Sequence, residues 1–412
     1  MSEISKEKNT EPSENSSQSK ENKNDNNGNK NDDKNNDNKD KKKENINLDS
    51  SQNKEKDEDN KLLEIIKNFF GGPYTDSNNI IHDISYTTWV ETDINIKKLC
   101  NPYEVVIPKE DAADKNKDNN PFGVLTRHDY GCELKLIKWI TEDETHKKNF
   151  IKIGNKGAKI NRHNDILPYI YNAVPLDLNI SEKNLDNYIN ASYIDDPIIK
   201  NSKLFIATQG PLKETIPSFW KMIYNHKTKL VIMLSSNLEE IDGRSAIYWP
   251  KNKEEILNFQ ENNLSIKFMS QDEIIKDALI IKKFKINDDL EIKQMHIICW
   301  PDHGMPKNQS LAIEIVDTMI NYIKIERGSE NKAPIVVHCS AGVGRTGTVI
   351  ATSVIILCLE YLKKLNKPLI MNVFNVVRKL REQRYSLVTD TDQYKFIYDY
   401  CLNWIKKNYM KK

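Results

Sequence analysis

Apolar positions are almost absent from residues 1–60, which are built from Lys, Asn, Asp, Glu and Ser. They first gather in KLLEIIKNFF, a run near Leu62 that predicts a short helix. The pattern up to residue 130 is weak, and a polar break, KEDAADKNKDNN, interrupts it at 109–120. Beyond residue 130 it sharpens. KLFIA (203–207) and KLVIML (229–234) are apolar runs of strand length, the second reading as fully buried. Over 281–300, Phe284 and Ile286 alternate with Lys283 and Lys285. Asn287-Asp288-Asp289 then turns the chain, and Leu290 and Ile292 alternate with Glu291 and Lys293, which is the signature of a hairpin. PIVVHC (334–339) reads as a central strand buried on both faces. Three helices close the chain. Residues 344–363 are long and apolar, 371–384 align Val373, Phe374, Val376, Val377 and Leu380, and 390–407 align Ile397, Tyr400, Cys401 and Trp404. Strands and helices intersperse without regular alternation. The expected fold is therefore α/β in the mixed, α+β sense: one domain with a twisted mixed sheet flanked by helices.

Composition divides this picture. Residues 1–60 cannot bury enough apolar surface to offset their ordering entropy, so they read as a disordered tail. Residues 61–130 form an extension of unassigned role, and 131–408 the main domain. Net charge is +1 with 29% charged residues, which argues against a nucleic-acid or membrane surface. The six cysteines have no C-x-x-C pair and no Cys/His cluster, so neither a disulfide framework nor a metal site is expected. The first thirty residues lack an apolar run, and the most apolar stretch, Val349–Leu359, is shorter than the ~20 residues a bilayer span requires. The closing NYMKK carries no prenylation pattern. These features predict a soluble monomer in the reducing cytoplasm, with access to the nucleus open.

The chemistry concentrates in VHCSAGVGRTGT (337–348). A buried strand delivers Cys339 to a glycine-containing loop that ends at Arg345, where a helix begins. The backbone N–H groups of Ser340, Ala341, Gly342, Val343 and Gly344 can converge into an anion-binding nest. The helix N-terminus adds partial positive charge, and Arg345 offers a fork matched to two phosphate oxygens. The same field favours the thiolate of Cys339, the nucleophilic form. Thr346 is placed to hydrogen-bond that sulfur, and His338 to orient the loop through its ring N–H. Gly342, Gly344 and Gly347 allow close backbone approach. A lone Cys among apolar residues is ordinarily inert core; the strand, the glycines and the Arg at a helix start together argue otherwise. WPDHG (300–304) adds Trp300 and a candidate proton donor, Asp302, at the end of the hairpin, in a loop able to close over the pocket. Read alone, that pentapeptide is simply a Pro-Asp-Gly turn.

These segments resemble the protein tyrosine phosphatase family, in its tyrosine-specific non-receptor branch. NRHNDILPY (161–169) is similar to its phosphotyrosine-recognition loop. NYINASYI (187–194), FIATQGPL (205–212), FWKMIY (219–224) and AIYWP (246–250) resemble its framework segments, in order. VTDTDQYKFIYDY (388–400) resembles its glutamine-bearing loop. The resemblance implies attack by Cys339 on phosphorus, protonation of the leaving oxygen by Asp302, a phosphocysteine intermediate, and hydrolysis without metal or cofactor. It implies that Glu239 anchors Arg345, Asp165 binds the substrate backbone, and Gln393 places the water. The implied partners are tyrosine-phosphorylated proteins, kinases among them. Four positions depart from the family pattern: His163 stands where a Tyr packs on the substrate ring, Asn164 replaces a basic residue, Thr389 replaces the first of two glutamines, and Arg244 replaces a Lys. A dual-specificity or phosphoinositide phosphatase, and a phosphotyrosine-binding protein without turnover, remain the alternatives.

Overall fold

The computed structural model describes residues 130–409 apart from 143, 153–158, 179–186, 237–238, 240–245, 330–331 and 367–368, together with scattered positions between 57 and 124. Residues 1–56, the polar break at 109–120 and Arg244 lie outside the described residues. Positions 57, 59–61 and 64 are helical, so helix begins inside the segment expected to be tail. Asp57 and Asp59 suit the positive end of a helix dipole there.

Helix α1 (Tyr130–Thr141) opens the main domain. Strands β1 (Ala173–Pro175), β2 (Tyr188–Asp195) and β3 (Lys203–Thr208) follow, then helix α2 (Ile216–Asn225) and strand β4 (Leu230–Met233). Next come β5 (Ile256–Phe259), β6 (Leu264–Ile275), β7 (Leu279–Ile286) and β8 (Leu290–Ile297). Helix α3 (Gln309–Gly328) leads to β9 (Ile335–His338), α4 (Gly344–Lys364), α5 (Val373–Arg381) and α6 (Thr391–Tyr409). The nine strands form one mixed sheet in the order β5-β6-β7-β8-β4-β9-β3-β2-β1. Strands β8, β4, β9 and β3 run parallel at its centre, and the flanking pairs are antiparallel.

The central strands are apolar on both faces because both are covered. In β9, Ile335 and Val337 pack into the cluster built with α1, α3, α4, α5 and α6, whereas Val336 joins the cluster around Phe219 and Trp220 of α2. Strand β4 splits the same way, with Leu230 and Ile232 against Val231 and Met233. Burying each such branched side chain contributes roughly 1.5–3 kcal/mol. The hairpin turn places Asn287 and Asp288 at φ of 51° and 60°, the left-handed region these residues tolerate. Helix α4, at 21 residues, matches the long apolar helix expected over 344–363; its length and composition would suffice for a membrane span, but 83% of its apolar window is buried in the domain. Its apolarity is explained by its place in the core.

Candidate active site

Strand β9 ends at His338, and the next residue, Cys339, is only 3% exposed. The loop from Ser340 to Val343 then turns into α4 at Gly344. Its carbonyls are tied outward. Ser340 O accepts from Gly210 N (2.9 Å), and Val343 O accepts from Gly347 N (2.8 Å) and Val388 N (3.1 Å). Arg384 donates to Gly342 O (2.8 Å) and Ala341 O (3.3 Å). Peptide planes with carbonyls held outward turn their N–H groups to the concave side. Gly342 sits at φ +73°, and a Cβ there would overlap the Thr208 carbonyl, so glycine is required. The Thr346 hydroxyl donates to Cys339 Sγ at 3.3 Å.

Arg345 is 1% exposed and fixed from both sides. Its two terminal nitrogens meet Glu239 in a fork at 2.6 Å each, and Nη2 also reaches Asp302 Oδ1 at 2.6 Å. Burial alone would lower the Arg345 pKa; Glu239, with Cys339 and Asp302 nearby, reverses this and raises it. Burial likewise opposes ionisation of Glu239, but the Arg345 bonds outweigh it and hold the carboxyl below its usual range. Arg345 Nε is buried without a partner.

A buried relay lies beneath Cys339. Gln294 donates to the Tyr248 hydroxyl (2.6 Å), which contacts His338 Nε2 (2.8 Å), and His338 Nδ1 contacts the Cys339 carbonyl (3.2 Å). The Gln294 amide nitrogen can only donate and the Cys339 carbonyl can only accept. The consistent assignment therefore places the ring proton on Nδ1. Burial lowers the His338 pKa to about 4, so the ring is neutral.

The loop from Trp300 to Gly304 lies against the Cys339 loop. Trp300 is fully buried, its carbonyl accepts from Arg345 Nη1 (3.4 Å), and its indole donates to Gly304 O (3.2 Å). Gln393 is buried beside Gly344, where a Cβ would stand 3.1 Å from its amide nitrogen. The structure thus gathers Cys339, Arg345, Thr346, Asp302, Glu239, His338, Trp300 and Gln393. His163 and Asp165 differ: both side chains are exposed and stand outside this hydrogen-bond network, on a segment pinned by Asn190 to Asn161 (2.9 Å) and Ile166 O (2.7 Å).

The family model described as Protein-tyrosine phosphatase matches residues 158–403. The chain belongs to this family. It is 35% identical over 271 residues to rat tyrosine-protein phosphatase non-receptor type 20, covering 65% of this chain and 59% of that protein. It is 38% identical over 246 residues to human receptor-type tyrosine-protein phosphatase C, covering 58% of this chain and 17% of that protein. The chain thus aligns with under two thirds of these relatives' length. The catalytic domain of human protein tyrosine phosphatase non-receptor type 18 superposes with a TM-score of 0.57 at 25% identity, covering 67% of this chain and 95% of that one.

Several residues that build the phosphatase-domain site carry no local sequence signal. Arg384, fully buried, joins the Cys339 loop to Asn190 (3.0 Å) and Ser192 (3.3 Å), and burial lowers its pKa to about 10. Arg162 donates to Gly210 O (3.2 Å) and Pro211 O (3.3 Å). Asp390 holds the Trp300–Gly304 loop by accepting from Gly304 N at 3.2 Å. An Arg within reach of a glycine loop is detectable only once the fold brings them together.

Proposed function

We propose that this chain hydrolyses phosphotyrosine in proteins through a phosphocysteine intermediate. The observation that carries the reading is the state of Arg345. Its terminal nitrogens are held by Glu239 and Asp302, while its buried Nε has no partner, in the first turn of the helix that follows the Cys339 loop. An unpaired buried N–H is costly, and an oxygen of a bound phosphoryl group would satisfy it. Cys339 Sγ attacks phosphorus, forming the S–P bond as the P–O bond to tyrosine breaks. Asp302, protonated, gives its proton to the leaving phenolic oxygen. Water then attacks the phosphocysteine with Asp302 as base, releasing phosphate and the Cys339 thiolate. The amides of Ser340, Ala341, Gly342, Val343 and Gly344, with Arg345, stabilise the equatorial oxygens in both steps. Thr346 supports the sulfur, and Gln393 positions the water. Asp165 and His163 form the rim that meets the substrate backbone and ring. The substrates are tyrosine-phosphorylated signalling proteins, kinases among them, in the cytoplasm.

The test is phosphate release from a phosphotyrosyl peptide and a matched phosphothreonyl peptide, without metal and with reductant. The expected result is release from the first alone, abolished by Cys339→Ser. Release from both would move the reading to dual specificity. Release from neither by folded protein would overturn hydrolysis in favour of binding alone.

A further inference from the structure

Asp390 is the residue immediately before α6, and its two carboxylate oxygens do different things. Oδ1 accepts from the backbone N–H of Gln393 at 2.9 Å. Asp390 O accepts from Tyr394 N at 3.1 Å, the first helical bond, so Asp390 is the N-cap of α6 and Gln393 stands at its third position. Oδ2 reaches across to the acid loop and accepts from Gly304 N at 3.2 Å. Gly304 is at φ +73°, and its carbonyl is held in turn by the Trp300 indole at 3.2 Å. The acid loop is therefore held from two directions. Arg345 grips it through Trp300 O and Asp302, and Asp390 grips its far end.

From this geometry we propose that Asp390 is a positioning residue: a latch that holds the acid loop over the phosphate cradle and couples it to the turn presenting Gln393. The inference rests on the phosphatase reading above. Arg345 must also bind the phosphoryl group, so its contact with Asp302 cannot alone define where the loop stops. The Asp390–Gly304 bond involves neither the cradle nor any substrate atom. It can persist while Asp302 transfers its proton and Arg345 holds phosphate. A carboxylate suits this place because one oxygen is committed to the helix cap, and only a second acceptor can hold the loop.

Asp390→Asn separates the two roles. Asn is as good an N-cap as Asp, so its single carbonyl oxygen retains the cap. It then presents an NH2 group, a donor, to the Gly304 N–H, and the latch is lost. The readout is kcat/KM, which reports only the steps up to formation of the phosphocysteine, on two aryl phosphates that differ in leaving group. Phenyl phosphate needs a proton on its departing oxygen, whereas 2,4-dinitrophenyl phosphate departs as a stable anion. General acid catalysis is worth ~10²–10⁴-fold, so a displaced Asp302 lowers kcat/KM on phenyl phosphate about tenfold or more. The expected change on the dinitrophenyl ester is within about twofold, with an unchanged melting temperature. The alkaline limb of the phenyl phosphate pH–rate profile, which reports the protonated acid, flattens in parallel. Asp390→Ala, which also loses the cap, shows the same leaving-group selectivity together with a lower melting temperature. Equal losses on both esters, or no loss on either, in an active enzyme would overturn the latch alone. An inactive wild-type chain would overturn the phosphatase reading and the latch with it.

Discussion

At the scale of single residues, the site is built by groups that have no freedom to be anything else. Gly342 combines a positive φ with a Cβ position already occupied by the Thr208 carbonyl, a backbone atom that cannot rotate away. Gly342→Ala must strain the loop at about 1–3 kcal/mol for the left-handed backbone alone, and must also push β3 and the Cys339 loop apart. The expected outcome is a lower urea midpoint and loss of at least tenfold in kcat/KM, read from denaturation curves and steady-state rates. Gly328 is the contrast: nothing lies within 4 Å of its Cβ position. The Cys339 loop was legible in the sequence because Cys339, its glycines and Arg345 are neighbours along the chain. Arg384 and Asp390 were not, because their partners, Gly342 and Gly304, lie 42 and 86 residues away.

The elements behind the site explain how it is held. Helix α1 lies ahead of the segment that matches the family model, yet it braces the Thr389–Gln393 turn from outside. Lys138 donates to Thr389 O at 2.8 Å, and Glu133, 1% exposed, accepts from the hydroxyls of Tyr394 (2.7 Å) and Tyr398 (2.8 Å) on α6. Thr141 and Glu142 meet the buried Arg381 of α5. Glu133→Ala removes one charged acceptor from each of two buried tyrosine hydroxyls, at about 1–3 kcal/mol each. The expected result is a fall of roughly 2–4 kcal/mol in unfolding free energy, measured by denaturant titration; a change below 1 kcal/mol would deny α1 this role. By the same argument, a chain begun at residue 158 should be markedly less stable than one begun at 125. The sequence reading singled out neither α1 nor α3, although Ile315, Val316, Met319, Ile320 and Ile323 of α3 repeat at helical spacing. Strand β6 was harder. Leu264 and Ile266 are buried, but Gln271, Asp272, Glu273 and Ile274 are exposed, so its outer half offers no alternation to read.

For the whole molecule, the buried histidines set a pH dependence of stability that is separate from catalysis. His338 is held neutral under Cys339, with its pKa lowered by burial to about 4. His296 is lowered by burial to about 3; its ring contacts the Lys282 ammonium at 2.8 Å and the Ser235 carbonyl at 2.8 Å. Both would titrate near ~6.5 in the unfolded chain. Below that pH the unfolded state binds protons that the folded state refuses, so stability is full above ~6.5 and falls as pH drops toward the folded values. His338 alone costs about 2 kcal/mol by pH 5, and His296 adds a similar amount. Glu239 acts in the same direction at lower pH, because its ion pair with Arg345 is lost as the carboxylate protonates. Unfolding free energies from urea titrations at pH 7.5 and pH 5 should therefore differ by roughly 4 kcal/mol for these two rings together. His296→Gln, which removes one titrating ring, should shrink that gap by about half. A midpoint that does not move between the two pH values would mean that the rings take up protons in place, and that the Gln294–Tyr248–His338 relay does not hold Cys339 through a neutral imidazole.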